Sequence, residues 1–213
     1  MALPSRSDDM ATHTNRTENA VEEPLHDPDS SDHFQVLGVP RRLVVDQDAL
    51  SRRYYELSRR YHPDRHQSAP VADRIAAISR TANVNKAYQV LKDPVERGKW
   101  WLEFNGEELG RENNRVPGDL MMLVLEIQEL LEHVRERGTD ELIDHVQQHK
   151  ADVEKEREKR LSTLGENFAA WDRNELGPDE DLLGELKRLL SELSYIRTLL
   201  RDIDRTLESV SES

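Results

Sequence analysis

Tyr61-His62-Pro63-Asp64-Arg65 brings an imidazole, a rigid ring and a carboxylate together within five residues. Proline fixes its own backbone angle, so the side chains flanking it are held in place. Asp64 is a single anion able to accept a charge-assisted hydrogen bond from an arginine on another molecule. Other candidate chemistry is weaker. His145 and His149 stand four apart, as helical metal ligands do, but Val146 occupies the place of the glutamate in a His-Glu-x-x-His site. They read as solvated helix histidines. No Gly-x-x-x-x-Gly-Lys and no Gly-x-Ser-x-Gly occurs. The chain has no cysteine, which excludes disulfides, thiolate metal sites, iron–sulfur ligation by the chain and cysteine nucleophiles. No metal, cofactor or catalytic residue is expected.

The elements that must hold the His-Pro-Asp turn lie in a basic stretch. Residues 1–31 carry a net charge of −5, residues 32–104 a net +4 and residues 105–213 a net −12, within a chain of 213 residues and net −13. The acidic total argues against a nucleic-acid binder, and the split argues for two modules with different partners. Residues 1–31 are polar and acidic and read as a disordered tail. Four helices are expected over 32–104. The first runs from Asp32 to Leu37. The second begins after the N-cap Asp46, with Leu50, Tyr54, Leu57 and Tyr61 on one face, and stops at Pro63. The third runs from about Pro70 to Leu91, with Ile75, Ile78, Ala82, Tyr88 and Leu91 marking its face. The fourth follows Asp93-Pro94 and carries Trp100, Trp101 and Phe104. The glycines and asparagines of 105–118 read as a linker.

Three more helices are expected, over 118–137, 139–172 and 179–208, parted by Gly138 and by Gly177-Pro178, with residues 209–213 as a tail. The last carries Leu182, Leu186, Leu189, Leu193, Ile196, Leu200, Ile203 and Leu207 in a heptad seam. Burial of that seam within a three-helix bundle over 119–208 is favoured over an intermolecular coiled coil, so a monomer is expected. The fold class is all-α. With 36% hydrophobic and 5% aromatic residues the chain can build thin helical cores, not one thick one. No run of 18 apolar residues and no secretory apolar segment occurs, which points to a cytoplasmic protein without a membrane span.

The helix from Leu120 has more apolar surface than one core can take. At about 100° per residue, Leu120, Leu123, Val124, Ile127, Leu130, Leu131 and Val134 form one stripe. Met121, Met122 and Leu125 fall on the other side, beside Glu126 and Glu129. An apolar patch with a charged rim marks a binding surface, and methionines suit an adaptable one. The competing reading packs this face on Trp100 and Trp101. Tyr195 and Leu199 lie off the heptad seam of the last helix, on one side of it.

The His62-Pro63-Asp64 turn lies between a helix carrying Arg52, Arg53, Arg59 and Arg60 and a longer apolar helix. It is preceded by Asp32-His33-Phe34-Gln35-Val36-Leu37-Gly38-Val39. This arrangement resembles the J-domain of co-chaperones that serve ATPases of the DnaK and HscA class. The resemblance implies that His62, Pro63 and Asp64 trigger ATP hydrolysis in the chaperone. The basic helix would then steer docking onto an acidic surface, with salt weakening it. Gly/Phe-rich and zinc-binding regions are missing, and an acidic helical module stands in their place. With Leu37-Gly38-Val39-Pro40, Ala82-Asn83-Val84-Asn85-Lys86-Ala87-Tyr88 and Leu91-Lys92-Asp93-Pro94, the layout resembles the HscB family, whose J-proteins serve iron–sulfur cluster assembly with the scaffold IscU and the chaperone HscA. This second resemblance implies a scaffold-binding surface at Met121, Met122, Leu125, Glu126 and Glu129, with Tyr195 from Leu193-Ser194-Tyr195-Ile196 adding an aromatic. An unrelated client is the alternative.

Overall fold

A computed structural model describes residues 26–110, 116–137, 139–174 and 180–211. Among them there is no strand. Helix α1 is His33–Leu37, α2 Gln47–Tyr61, α3 Val71–Lys92 and α4 Pro94–Phe104. Then come α5 Met121–Arg137, α6 Asp140–Arg173 and α7 Glu180–Ser211. Most of the expected boundaries hold within two or three residues. Gly138 and Gly177-Pro178, named as separators, lie outside the described residues.

Aspartates start three of the first four helices, α1, α2 and α4. The Asp32 carboxylate accepts from the Phe34 amide at 2.9 Å, and Asp46 accepts from those of Asp48 and Ala49 at 2.9 and 3.0 Å. Asp93 ends α3 and at once caps α4, accepting from Val95 and Glu96 with Pro94 in the first turn. Gly38 closes α1 with a left-handed φ of 62°, a conformation that costs glycine nothing.

Helices α1–α3 share a core of Phe34, Leu37, Leu50, Leu57, Val84, Ala87 and Leu91. Tyr54 stacks on Tyr88 at 4.1 Å, and the Thr81 hydroxyl donates to the Tyr61 carbonyl at 2.8 Å, binding α2 to α3 at two points. The buried face of α3 differs from the expected one. Ala77, Val84, Ala87 and Leu91 are inside, while Ile75, Ile78 and Ala82 face solvent. Small alanines let α2 and α1 approach closely there, so the bulkier isoleucines are turned out.

The expected disordered tail also ends earlier than residue 31. His26 Nε2 lies 2.9 Å from the Tyr61 hydroxyl, Arg80 donates to Asp29 at 3.0 Å, and Asn83 donates to the Pro28 carbonyl at 3.1 Å. Residues 26–31 are a strap over α1–α3, held by polar contacts that hydrophobicity does not register. Residues 1–25 lie outside the described residues.

Helices α5, α6 and α7 pack as a three-helix unit. Leu120, Val124, Ile127, Leu131 and Val134 meet Val146, Val153, Ile196, Leu200 and Ile203. The expected stripe of α5 is the buried one, with Leu123 and Leu130 half-buried at its edge. On α7 the buried surface is broader than the heptad seam, because Leu190 and Leu199 are buried too. The seam is spent inside the chain.

A third cluster joins the two units. Leu43, Val95 and Leu102 pack with Leu164, Phe168, Leu186, Leu189, Leu190 and Leu193. Asp172 near the end of α6 accepts from the amides of Leu43 and Val44 at 2.9 and 2.8 Å. Arg97 is buried over the Phe168 ring and donates to the carbonyls of Leu43 (2.9 Å) and Leu91. Its burial lowers the guanidinium pKa to about 10. Part of the expected linker belongs to this junction. Leu109 packs on the cluster and Glu107 accepts from Lys187 at 2.7 Å, while residues 111–115 lie outside the described residues.

Candidate functional site

The His-Pro-Asp turn stands at the free end of the α2–α3 hairpin. Pro63 cannot continue α2, so the chain turns into a short 3-10 segment, Pro63–His66. His62 caps it, its Nδ1 accepting from the Asp64 amide at 3.3 Å. The turn is latched back onto α2. Arg65 donates to the Arg59 carbonyl at 3.3 Å, and the His66 ring nitrogen lies 3.3 Å from the Arg60 carbonyl. These contacts satisfy carbonyls that the helix end leaves open.

Asp64 is open to solvent. Its side chain is 73% exposed, and its neighbours are the Gln67 amide at 3.3 Å and His62 Nδ1 at 3.6 Å. Pro63 is exposed as well. A rigid turn with an open carboxylate is an acceptor for a cation on another molecule.

The four arginines of α2 separate. Arg52, Arg59 and Arg60 are exposed. Arg53 is half-buried, donating to the Leu37 carbonyl at 2.9 Å and to Glu56 at 2.7 Å. It ties α2 to the end of α1, and Glu56 is held below its usual carboxylate range by that pairing.

On α5 the structure brings together the five residues singled out there. Met121, Met122 and Leu125 are exposed, at 44%, 68% and 51%, and Glu126 and Glu129 are exposed beside them. Trp100 and Trp101 are engaged elsewhere. Trp100 stacks on His33 at 4.9 Å, and Trp101 meets Phe34 edge-on at 5.9 Å. The α5 face therefore does not pack on the tryptophans.

Tyr195 is placed differently. It is half-buried against the α5–α7 core. Burial raises its hydroxyl pKa, and Asp202 adds to the rise. Leu199, one turn on, is fully inside. That side of α7 faces α5, where Arg135 donates to Thr206 at 3.1 Å.

One group that the sequence pattern did not reveal supports the α5 face. Arg160 of α6 is buried and donates to Asp119 at 2.6 Å, Glu156 at 2.5 Å and Glu192 at 2.9 Å. Asp119 precedes Met121 by two residues, so Arg160 holds the segment leading into α5 to α6 and α7. It sits inside the charged run 154–160, and nothing in that run marks it out. Among the described residues no cluster of His, Asp and Glu forms a metal site.

Comparison with known proteins bears on both units. A family model for the DnaJ domain matches residues 32–100. A protein from Vibrio campbellii described as a co-chaperone protein HscB homolog is 33% identical over 139 residues, covering 61% of this chain and 81% of the relative. The solved chaperone HscB from Vibrio cholerae superposes with a TM-score of 0.64 at 24% identity, covering 84% of this chain and 99% of that one. Human co-chaperone protein HscB superposes with a TM-score of 0.65 at 20% identity, covering 96% and 93%. These two likenesses carry the fold.

Proposed function

The chain belongs to the HscB family of co-chaperones, and we propose from that premise how its two exposed sites divide the work. The J unit engages an Hsp70-class ATPase, of the DnaK or HscA type, through His62, Pro63 and Asp64, with Arg52, Arg59 and Arg60 steering the approach. The outer face of α5, built from Met121, Met122 and Leu125 and rimmed by Glu126 and Glu129, takes an IscU-type iron–sulfur scaffold. Tyr195 of α7, half-buried against the core, adds an aromatic to that contact. The chain performs no chemistry of its own. It stimulates ATP hydrolysis in the chaperone and presents the scaffold to it.

The observation that carries this reading is an apolar face left open on a helix whose other side already fills a core. Met122 and Leu125 are more than half exposed although Val124 and Ile127 beside them are buried. Exposed apolar surface of this kind is maintained for a partner. Residues of the same body hold the His-Pro-Asp turn, so both partners meet on one chain. Among the described residues no helix is long and apolar enough to cross a membrane. We place the protein in the cytoplasm as a monomer.

The test is a calorimetric titration of the full chain with the organism's iron–sulfur scaffold, beside the Met122→Ala/Leu125→Ala variant. Saturable one-to-one binding that the variant loses supports the scaffold assignment. Chaperone stimulation without scaffold binding would leave a J-protein with an unrelated client.

A further inference from the structure

We propose that a cleft on the opposite side of α7 from α5 is a second docking surface for the same Hsp70-class chaperone, taking an acidic, apolar-tipped segment of it. The cleft has a volume of about 560 Å³ and lies where α4 of the J unit begins, against α6 and α7. Its floor is apolar, with Leu161, Leu193 and Leu200. Its wall is cationic. Arg197, Arg201 and Arg205 are spaced four apart on α7 and line one side of it, and Arg157 of α6 lines it too.

These arginines are not equivalent. Arg197 is occupied, donating to Asp93 at 2.8 Å and Glu96 at 2.7 Å, which pins α7 to the start of α4. Arg157 pairs with its neighbour Glu158 at 3.0 Å. Arg201 and Arg205 are exposed and form no ion pair or side-chain hydrogen bond among the described residues. Of the carboxylates around the cleft, Asp93 is taken by Arg197 and Asp204 by Lys150 at 2.6 Å, which leaves Glu208 at the far end. Two free guanidiniums thus stand over an apolar floor in a chain of net charge −13.

Charge decides which partner fits. The outer face of α5 is apolar with a glutamate rim, so its occupant carries a basic border. The cleft asks for the reverse chemistry, acidic with an apolar tip. Exposed Arg52, Arg59 and Arg60 on α2 ask for an acidic surface too. One anionic partner satisfies α2 and the cleft, and the α5 occupant satisfies neither. Helix α3, with 22 residues and a length of roughly 33 Å, separates the His-Pro-Asp turn from the cleft. The occupant must therefore be large enough to span that distance, as an Hsp70-class chaperone is. The inference rests on the co-chaperone reading above and adds a contact to it.

The experiment measures ATP hydrolysis by the organism's purified DnaK/HscA-class chaperone against increasing concentrations of the full chain. Wild type, Arg201→Glu/Arg205→Glu, Arg201→Gln/Arg205→Gln and Asp64→Asn are compared at low and high salt. The expected result is a rise of about tenfold in the half-stimulating concentration for the Glu pair, with unchanged maximal rate. The Gln pair falls between, and the salt dependence shrinks in both. The thermal midpoint and the scaffold affinity stay at wild-type values, which shows that the fold and the α5 face are intact. Equal half-stimulating concentrations in wild type and the Glu pair would overturn the inference and leave the co-chaperone reading standing. A loss confined to scaffold titration, or a change in solution mass, would overturn it in favour of the scaffold or a second copy of the chain. Failure of the wild type itself to stimulate would overturn the co-chaperone reading and this inference with it.

Discussion

Gly98 of α4 lies against Leu190 of α7 so closely that a Cβ on Gly98 would stand 2.7 Å from Leu190 Cδ2 and 3.2 Å from the Phe168 ring. Both neighbours are buried in the cluster that joins the two units. A methyl group at residue 98 has room only if the packed Leu190 side chain shifts or α4 and α7 part. Gly98→Ala is expected to destabilise the protein by about 1–3 kcal/mol, as overpacking of a filled core does. The shift appears as a lowered thermal midpoint, with one transition for the whole chain. Two separate transitions in the wild type would show that the units melt independently, contrary to this packing.

Asp64 is expected to separate function from stability. Its carboxylate is mostly exposed and makes only long contacts, with Gln67 at 3.3 Å and His62 at 3.6 Å. Asp64→Asn keeps the shape of the side chain and removes its charge. Chaperone ATPase stimulation should fall by at least about tenfold, the worth of one charge-assisted hydrogen bond. The thermal midpoint should not move. A variant that stimulates normally would remove Asp64 from the docking site.

Leu125 and Met122 are expected to behave in the same way toward the scaffold. Each is more than half exposed, so truncation creates no cavity. Leu125→Ala should weaken scaffold binding by roughly 1–3 kcal/mol if it fills a pocket on the partner, and leave the melting curve unchanged. Isothermal titration and calorimetric melting read the two quantities separately. Normal affinity in the Met122→Ala/Leu125→Ala pair would remove this face from the scaffold site.

His33 gives a pH dependence with a definite sign. The ring is buried, stacked on Trp100, and its pKa lies below the ordinary 6.5 because burial, then Lys86, disfavours the charged form. A depressed folded pKa means that the unfolded chain binds the proton first as pH falls below 6.5. The stability that neutral His33 contributes is therefore complete above that value and is lost toward the folded pKa. The midpoint of wild type should drop more steeply between pH 7 and 5 than that of His33→Gln. Parallel curves would contradict the assignment.

Arg160 is expected to cost far more than a surface arginine. Arg160→Ala leaves Glu192, Glu156 and Asp119 without their shared cation, and Glu192 is itself only 13% exposed. Loss of about 3 kcal/mol is the scale for an ion cluster broken on one side. Because Asp119 leads into α5, scaffold affinity should fall as well. Equal stability of Arg160→Ala and wild type would refute the clamp.

The sequence made some of this visible and hid the rest for physical reasons. The α5 stripe was legible because Val124, Ile127, Leu131 and Val134 keep a helical spacing along the whole helix, while the outward face turns polar after Leu125. The inner face of α3 was not, because Ala77 and Ala87 do the close packing while Ile75 and Ile78 add hydrophobicity on the open side. Arg53 looks like its neighbours in sequence, and only the fold brings it to the Leu37 carbonyl. The strap at residues 26–31 and the hold of Asp172 on Leu43 and Val44 are polar contacts between distant segments, and no local pattern encodes them.

The buried cluster of Leu43, Leu102, Phe168 and Leu190 has a further consequence for how the protein moves in solution. A flexible tether would let two lobes reorient at their own rates. A shared core, with Asp172 bonded across it to the amides of Leu43 and Val44, makes them one rotor. Amide relaxation rates from α2 and from α7 should then fit a single diffusion tensor. A partner gripping the His-Pro-Asp turn would swing the α5 face through the same angle.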